Sequence, residues 1–449
     1  MKGKQMDRPN IVFYFTDQQR WDTMGCYGQK LDVSPNLDRI AREGALFENA
    51  FTNLPVCGPA RACLQTGRWG TQTGCFRNDI ELPRNIPTLA GTLNAAWYKT
   101  AYVGKWHLAS NRDKGINNRT GHVPEDMRGG YSDYWMAADA LEFTSHGYNG
   151  YVFDKENRRV DFTGYRVDCV NAFAVDYVHA QDGKQPFFLF VSQLDPHHQN
   201  DRDRYEGPDG SKRRFAAFDP PGDLAGQEGD WRDNYPDYLG QCARIDENVG
   251  RLEDALKDKG LWENTVFIYT SDHGSHFRTR NSEYKRSCHD ACTHIPLIIR
   301  GPGFGGGKKI KELVSLMDLP ATVLDIAGAA GPEGFGGRSV VPLVQGTASE
   351  WENTVFMQIS ESQVGRAVRT PGWKYSVRAP GKDGWKDMDS GVYEEEFLYD
   401  LENDPHELNN LVSDSAYAAV RDEMKALLLD KMAEAGEARP LIYPRQRNT

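Results

Sequence analysis

The chain has 449 residues, beyond the ~250–300 at which a single core stops growing, so a large domain with a smaller companion is expected. It is 39% hydrophobic and 26% charged, as in an ordinary globular protein, with a net charge of −11 that argues against nucleic acid as a partner. The longest apolar runs, Ile11–Phe15 and Phe187–Val191, fall far short of the ~18–20 residues of a membrane span.

In chain order, Ile11–Phe15 is a continuous apolar run, the pattern of a strand buried on both faces. Between Ser34 and Gly44 a capping Ser, a first-turn Pro35 and a closing Gly frame a short helix. Thr100–Val103, Pro186–Leu194, Thr265–Thr270 and Ile295–Arg300 read as strands, and Asn248–Lys259 has helical spacing with Val249, Leu252 and Leu256 on one side. Gly301–Gly307 and Gly328–Gly337 are loops. Beyond Trp351, short strands at Val355–Ile359 and Lys374–Val377 precede a helix over Ser415–Ala435. This alternation predicts an α/β domain with a mostly parallel sheet over residues 1–350, and a smaller α+β subdomain over 351–449.

The eight cysteines are scattered and read as mostly free thiols rather than a disulfide framework. Cys288-His289 and Cys292 lack the second ligand pair of a structural zinc site. The start of the chain, Met1 to Pro9, is polar and lacks a signal peptide's apolar core. As it stands the chain is expected in the cytoplasm; with a leader removed it would be periplasmic or secreted.

Ligand sites of open α/β sheets lie beyond the carboxyl ends of the strands. Four predicted strands end in polar clusters: Asp17-Gln18, Lys105-Trp106-His107, Asp195-Pro196-His197-His198 and Asp272-His273-Gly274. Each has an ordinary structural alternative, such as a helix cap for Asp17 or a turn for Asp272–Gly274. Together they place Asp, Gln, Lys and His at one end of one sheet, where an anionic substrate would meet local positive charge against an acidic overall field.

The most specific motif is Cys57-Gly58-Pro59-Ala60-Arg61, followed by Thr66-Gly67-Arg68. It resembles the C-x-P-S/A-R … T-G-R motif of the type I sulfatases, with Ala60 in place of the commoner Ser. In that family the cysteine is oxidised after synthesis to formylglycine, whose aldehyde hydrate is the nucleophile. Further stretches match in order: Arg8-Pro9-Asn10-Ile11 through Asp17, Ser34–Asp38, Gly104–His107, Ser271–Gly274 and Leu398–Glu407. The implied fold is the alkaline-phosphatase-like α/β/α sandwich.

The resemblance implies a divalent metal, usually calcium, held by Asp17, Gln18, Cys57, Asp272 and His273. Many sulfatases have Asp where this chain has Gln18 and Asn where it has His273, so this shell carries one fewer carboxylate. Arg61, Lys105 and Lys285 would neutralise the sulfate. Pro59 suggests that Cys57 opens a helix, whose amide dipoles would favour an anion. By resemblance, one hydroxyl of the hydrate attacks sulfur, and His197 with Lys285 protonates the departing alcohol. The second hydroxyl then expels sulfate, with His107 as base. Maturation implies a formylglycine-generating enzyme as a partner.

For the substrate, Arg278, Arg280, Asn281, Tyr284, Arg286 and His289 suggest a basic, hydrogen-bonding rim, and His198 neighbours the proposed acid. Trp106, Trp231 and Tyr235 are candidate stacking faces. A carbohydrate sulfate ester is expected, including an oligosaccharide that carries uronic acid. The alternatives are a phosphonate or phosphate monoester hydrolase of the same superfamily, and a non-catalytic glycan-binding protein whose cysteine is never matured.

Overall fold

The computed structural model describes residues 8–445, so the polar start used above to argue location lies largely outside the described residues. Strand β1 (Asn10–Thr16) is buried throughout. Its alternation sends Ile11, Phe13 and Phe15 into one apolar core, and Val12 and Tyr14 into another on the opposite face. A strand greasy on both sides requires helices on both sides of its sheet.

In chain order there follow α1 (Pro35–Glu43), β2 (Ala45–Phe51), α2 (Cys57–Thr66), β3 (Lys99–Lys105), β4 (Tyr134–Ala138), α3 (Arg166–His179) and β5 (Phe187–Ser192). Next come α4 (Trp231–Asp258), β6 (Thr265–Ser271), β7 (Leu297–Arg300), β8 (Lys308–Ser315) and α5 (Asp318–Ala327). The strands contribute to a 12-stranded sheet in which β2, β7, β6, β1, β5, β3 and β4 lie side by side in that order. Helices α2 and α5 bury Ala60, Leu64, Leu319 and Val323 on one face. Helices α1, α3 and α4 bury Ile40, Val170, Val249 and Leu252 on the other. The result is the α/β/α sandwich that the motifs implied. Strand β1 pairs in parallel with β5 and β6, and β5 with β3, so four neighbouring strands open at the same end.

Several local expectations change. The predicted strand Ile295–Arg300 is broken at Pro296, leaving a two-residue strand, His294–Ile295, and β7. Strand β7 runs antiparallel to both β6 and β2, against the parallel trend. Ser34 does not cap α1. Its hydroxyl accepts from Gly25 N and donates to Asp38, while Asp246 of α4 accepts the free amides of Asn36 and Leu37 at 3.2 and 2.8 Å. Helix α4 is 28 residues long, far longer than the stretch from Asn248; Pro236 and a run of tyrosines concealed its first half.

The second sheet has five strands in sequence order: β9 (Val355–Ile359), β10 (Gly365–Arg369), β11 (Trp373–Arg378), β12 (Val392–Asp400) and, after helix α6 (Ala418–Glu434), β13 (Leu441–Tyr443). Pairing is antiparallel until β13, which joins β12 in parallel. Met424, Leu428 and Met432 of α6 pack on Phe356, Val368 and Tyr375 of this sheet. The two sheets meet in a small apolar cluster that includes Phe51, Cys288, Leu313, Val355 and Met357. No helix among the described residues is long and apolar enough to cross a membrane.

Candidate active site

Strand ends and one helix start converge on a single pocket. Asp17 and Gln18 follow β1, Asp272 and His273 follow β6, Lys105 ends β3, and His197 and His198 lie in the loop after β5. Cys57 is the first residue of α2, a helix buried along its whole length. Pro59 sits in the first turn, where its missing N–H leaves no gap in the helix ladder. Gly67, with φ of 61°, ends the helix in the left-handed conformation that Gly adopts without strain.

At the centre, Cys57 Sγ lies 3.3 Å from Asp17 Oδ1 and 3.3 Å from His273 Nε2. One donor atom each from Asp17, Cys57, Asp272 and His273 falls within 4.8 Å of the other three, and all four residues are buried. His273 Nδ1 donates to the Gly274 carbonyl at 2.9 Å, which turns the Nε2 lone pair toward Cys57. Gln18 adds a fifth donor. Its Nε2 donates to Tyr205 at 2.6 Å, while its Oε1 is buried without a hydrogen-bond partner. A buried amide oxygen left unpaired is costly unless a donor or a cation meets it. Oxygen-rich donors with one imidazole fit a hard divalent cation.

The electrostatics agree with that fit. Burial raises the Asp17 carboxyl, but Lys105, Lys285 and Arg61 outweigh it and hold the group well below the usual range. Burial and then the Asp17 charge push Asp272 up to about 7. Burial and mutual repulsion thus disfavour charge on both carboxylates at once, and a divalent cation held by these residues would offset that.

Three cations surround the nucleophile position. Lys285 Nζ donates to Cys57 Sγ at 2.8 Å and to His197 Nε2 at 3.0 Å. Arg61 reaches Asp17 at 3.1 Å and Asp272 at 3.4 Å, and its other arm donates to Ser192 Oγ at 2.6 Å. Lys105 bridges Asp17 at 2.8 Å and Glu142 at 3.1 Å. Burial, reinforced by Asp17, pushes the Cys57 thiol up to about 12, so the unmodified side chain is a poor nucleophile at neutral pH.

The histidines are held neutral. Burial and Lys285 place His197 well below its ordinary value. Its Nδ1 donates to the His198 carbonyl at 2.6 Å, so Nε2 accepts from Lys285. His198 stacks on His197 with ring centroids 4.4 Å apart and is itself held down to about 3 by burial and Lys285. His107 has a positive φ of 61°, a buried and unpartnered Nδ1, and a pKa lowered to about 3 by burial and Lys105.

Sequence reasoning missed the residues that orient these groups. Glu142, held down to about 2 by Lys105 despite burial, is the second partner of Lys105. Tyr205 and Ser275 orient the Gln18 amide, and Ser192 orients Arg61. None carries a local motif. Ser275, two residues past His273, was the most accessible to inference.

Other expected substrate contacts have different occupations. Arg280 donates to the carbonyls of His406 and Glu407, both at 2.8 Å. His289 is buried against Phe397 and Tyr399, with Nε2 3.0 Å from the Tyr399 hydroxyl. Both tie the loop that carries Lys285 to the second sheet, through the Leu398–Glu407 phrase. Trp106, Trp231 and Tyr235 are core residues, so the proposed stacking faces are closed to a ligand. The basic rim is neutralised: Arg278 pairs with Asp203, and Arg286 with Glu283 and Glu361.

A buried cysteine at a helix start, carboxylates arranged for a cation and a ring of fixed positive charge define an alkaline-phosphatase-like hydrolase centre for an anionic ester. The sulfatase family model matches residues 9–329, and that of the N-sulphoglucosamine sulphohydrolase C-terminal region matches 282–434. The chain belongs to the sulfatase family. It is 30% identical to an uncharacterized sulfatase, YidJ, of Escherichia coli strain K12, over 95% of this chain and 88% of the relative. It is 25% identical to an N-acetylglucosamine-6-O-sulfatase of Bacteroides thetaiotaomicron, over 95% of this chain and 86% of that one. A solved putative sulfatase from Bacteroides fragilis superposes with a TM-score of 0.84 at 24% identity, covering 97% of this chain and 98% of the other.

Proposed function

We propose that this sulfatase hydrolyses a sulfate ester on a sugar, with Cys57 matured to formylglycine by a dedicated enzyme and a calcium ion held by Asp17, Gln18, Asp272 and His273. The observation that carries the reading is the position of Cys57 Sγ, 2.8 Å from Lys285 Nζ and flanked by Asp17 and His273. After maturation that position belongs to the oxygens of the aldehyde hydrate. A divalent cation held by these residues would supply positive charge to the reacting sulfate. The N-acetylglucosamine-6-O-sulfatase supports a sugar substrate.

Arg61, Lys105 and Lys285 are fixed before substrate arrives, so they offset charge in the transition state without reorganising. The departing alkoxide of a sugar is a strong base and needs a proton. His197 is neutral and holds its own proton on the His198 carbonyl, so the transferable proton sits on Lys285. Lys285 gives its proton to the departing alkoxide directly, and His197 Nε2, which accepts from the ammonium, holds it in place. His107, held unprotonated, is the base for release of sulfate.

The test is sulfate release from sugars sulfated at defined positions, run beside phosphate and phosphonate monoesters, on protein made with a competent maturation system. Sulfate esters are expected to be preferred, Cys57→Ala to be inactive, and intact mass to show loss of the thiol at Cys57. A fully active Cys57→Ala protein overturns the mechanism. A preference for phosphonate esters places the chain with the hydrolases of that class, and an unmodified, inactive protein that still binds sulfated glycans makes it a binding protein.

A further inference from the structure

One large aromatic side chain stands exposed beside the loop that delivers Lys285. Trp385 is 37% exposed, and the Arg286 guanidinium carbon lies 5.7 Å from the centre of its ring. Arg286 is the next residue after Lys285, whose ammonium touches Cys57 Sγ. The surroundings are held firmly. Glu361 accepts from Asn78 N at 2.7 Å and pairs with Arg286 at 2.5 Å, and its own amide donates to the Gly384 carbonyl at 3.1 Å. Asn78 in turn accepts from the amide of Gly58, next to the nucleophile. Ser362 donates to the Arg286 carbonyl at 2.7 Å, and Trp385 N donates to Asp383. The indole is therefore displayed on a fixed loop that reports, through Glu361, to both sides of the reaction centre.

A rigid exposed aromatic offers contact area at little entropic cost. Its face suits the C–H groups of a sugar ring. What it does not suit is a carboxylate. Arg286 is shared between Glu283 and Glu361, Lys382 pairs with Asp387, and Lys386 pairs with Asp383. No free cation among these residues is left to meet a uronic acid, and the surplus charge on the patch is negative. Resting on the sugar-sulfate reading above, we propose that Trp385 is the stacking platform of a second subsite, which takes an uncharged sugar ring of the substrate outside the sulfate pocket.

The experiment compares wild type with Trp385→Ala and Trp385→Phe on p-nitrophenyl sulfate, on sulfated N-acetyllactosamine and galactose oligosaccharides, and on uronate-carrying chondroitin disaccharides. The ratio of kcat/KM on the uncharged oligosaccharides to that on p-nitrophenyl sulfate is expected to fall about tenfold in the Ala variant, through KM, and to recover in the Phe variant. An unchanged ratio, or turnover confined to uronate-carrying sugars, overturns the platform alone. Turnover of p-nitrophenyl sulfate with none of any sulfated sugar overturns the carbohydrate reading, and the platform with it.

Discussion

Lys285 lies in a loop between β6 and β7, yet its ammonium meets both Cys57 Sγ and His197 Nε2. In the proposed mechanism its removal takes away charge stabilisation and the leaving-group proton together. Lys285→Ala is expected to lower kcat on a sugar sulfate by ~10²–10⁴-fold, and on p-nitrophenyl sulfate by much less, because nitrophenolate departs without a proton. Equal losses on both substrates would leave Lys285 only its charge role. Gln18 is tested by metal content. If the free Oε1 is a ligand of the proposed calcium, Gln18→Ala is expected to retain less calcium after gel filtration than wild type and to lose activity at lower chelator concentrations.

Helix α1 shows how an element depends on one distant carboxylate. Asp246 of α4 accepts two backbone amides at the start of α1 and the Asn36 side chain besides. Asp246→Ala leaves those buried donors unpaired and is expected to cost about 1–3 kcal/mol in denaturant unfolding. The pH dependence has a definite sign. Burial raises the folded carboxyl from 3.8 to about 6, despite the amides that favour its charged form. The folded state then binds more protons than the unfolded chain between those values, so this group's contribution to stability falls as pH rises from about 4 to about 6. Asp246→Asn lacks that slope, and the difference between the two stability–pH curves isolates it.

Across the whole molecule, the second sheet braces the site through a buried ionic cluster. Lys374 of β11 meets Asp290 and Glu407, both at 2.5 Å, and Glu407 also accepts the Asp290 amide at 2.7 Å. Asp290 follows His289, so the cluster fixes the far end of the loop that begins near Lys285. Lys374→Met leaves Glu407 buried without a cation and Asp290 with Arg369 alone, and is expected to cost about 3–5 kcal/mol, measured by chemical denaturation. Lower activity at temperatures where the variant is still folded would show that the brace also positions Lys285.

Most of the site was legible as sequence because its chemistry sits at strand ends and in one specific motif. Cys57, Arg61, Asp17, Lys105, Asp272, His273, His197 and Lys285 lie together, some expected from strand ends and the rest, Lys285 among them, from the family resemblance. The parallel core was legible too, since continuous apolar runs such as Ile11–Phe15 have few other uses. What local pattern could not carry was partnership across long stretches of chain. Glu142 matters only because it lies against Lys105, and Asp246, not Ser34, caps α1. Arg280 and His289 looked like substrate contacts because they are polar and near Lys285 in sequence, but the folded chain offers them carbonyls, a tyrosine hydroxyl and burial. Trp106, Trp231 and Tyr235 lie in the core, while Trp385, unremarked in the sequence, stands at the surface. Periodicity and motif determine which residues a strand end presents; only the tertiary structure decides whether a charge is left free or already paired, because pairing is set by distance in space.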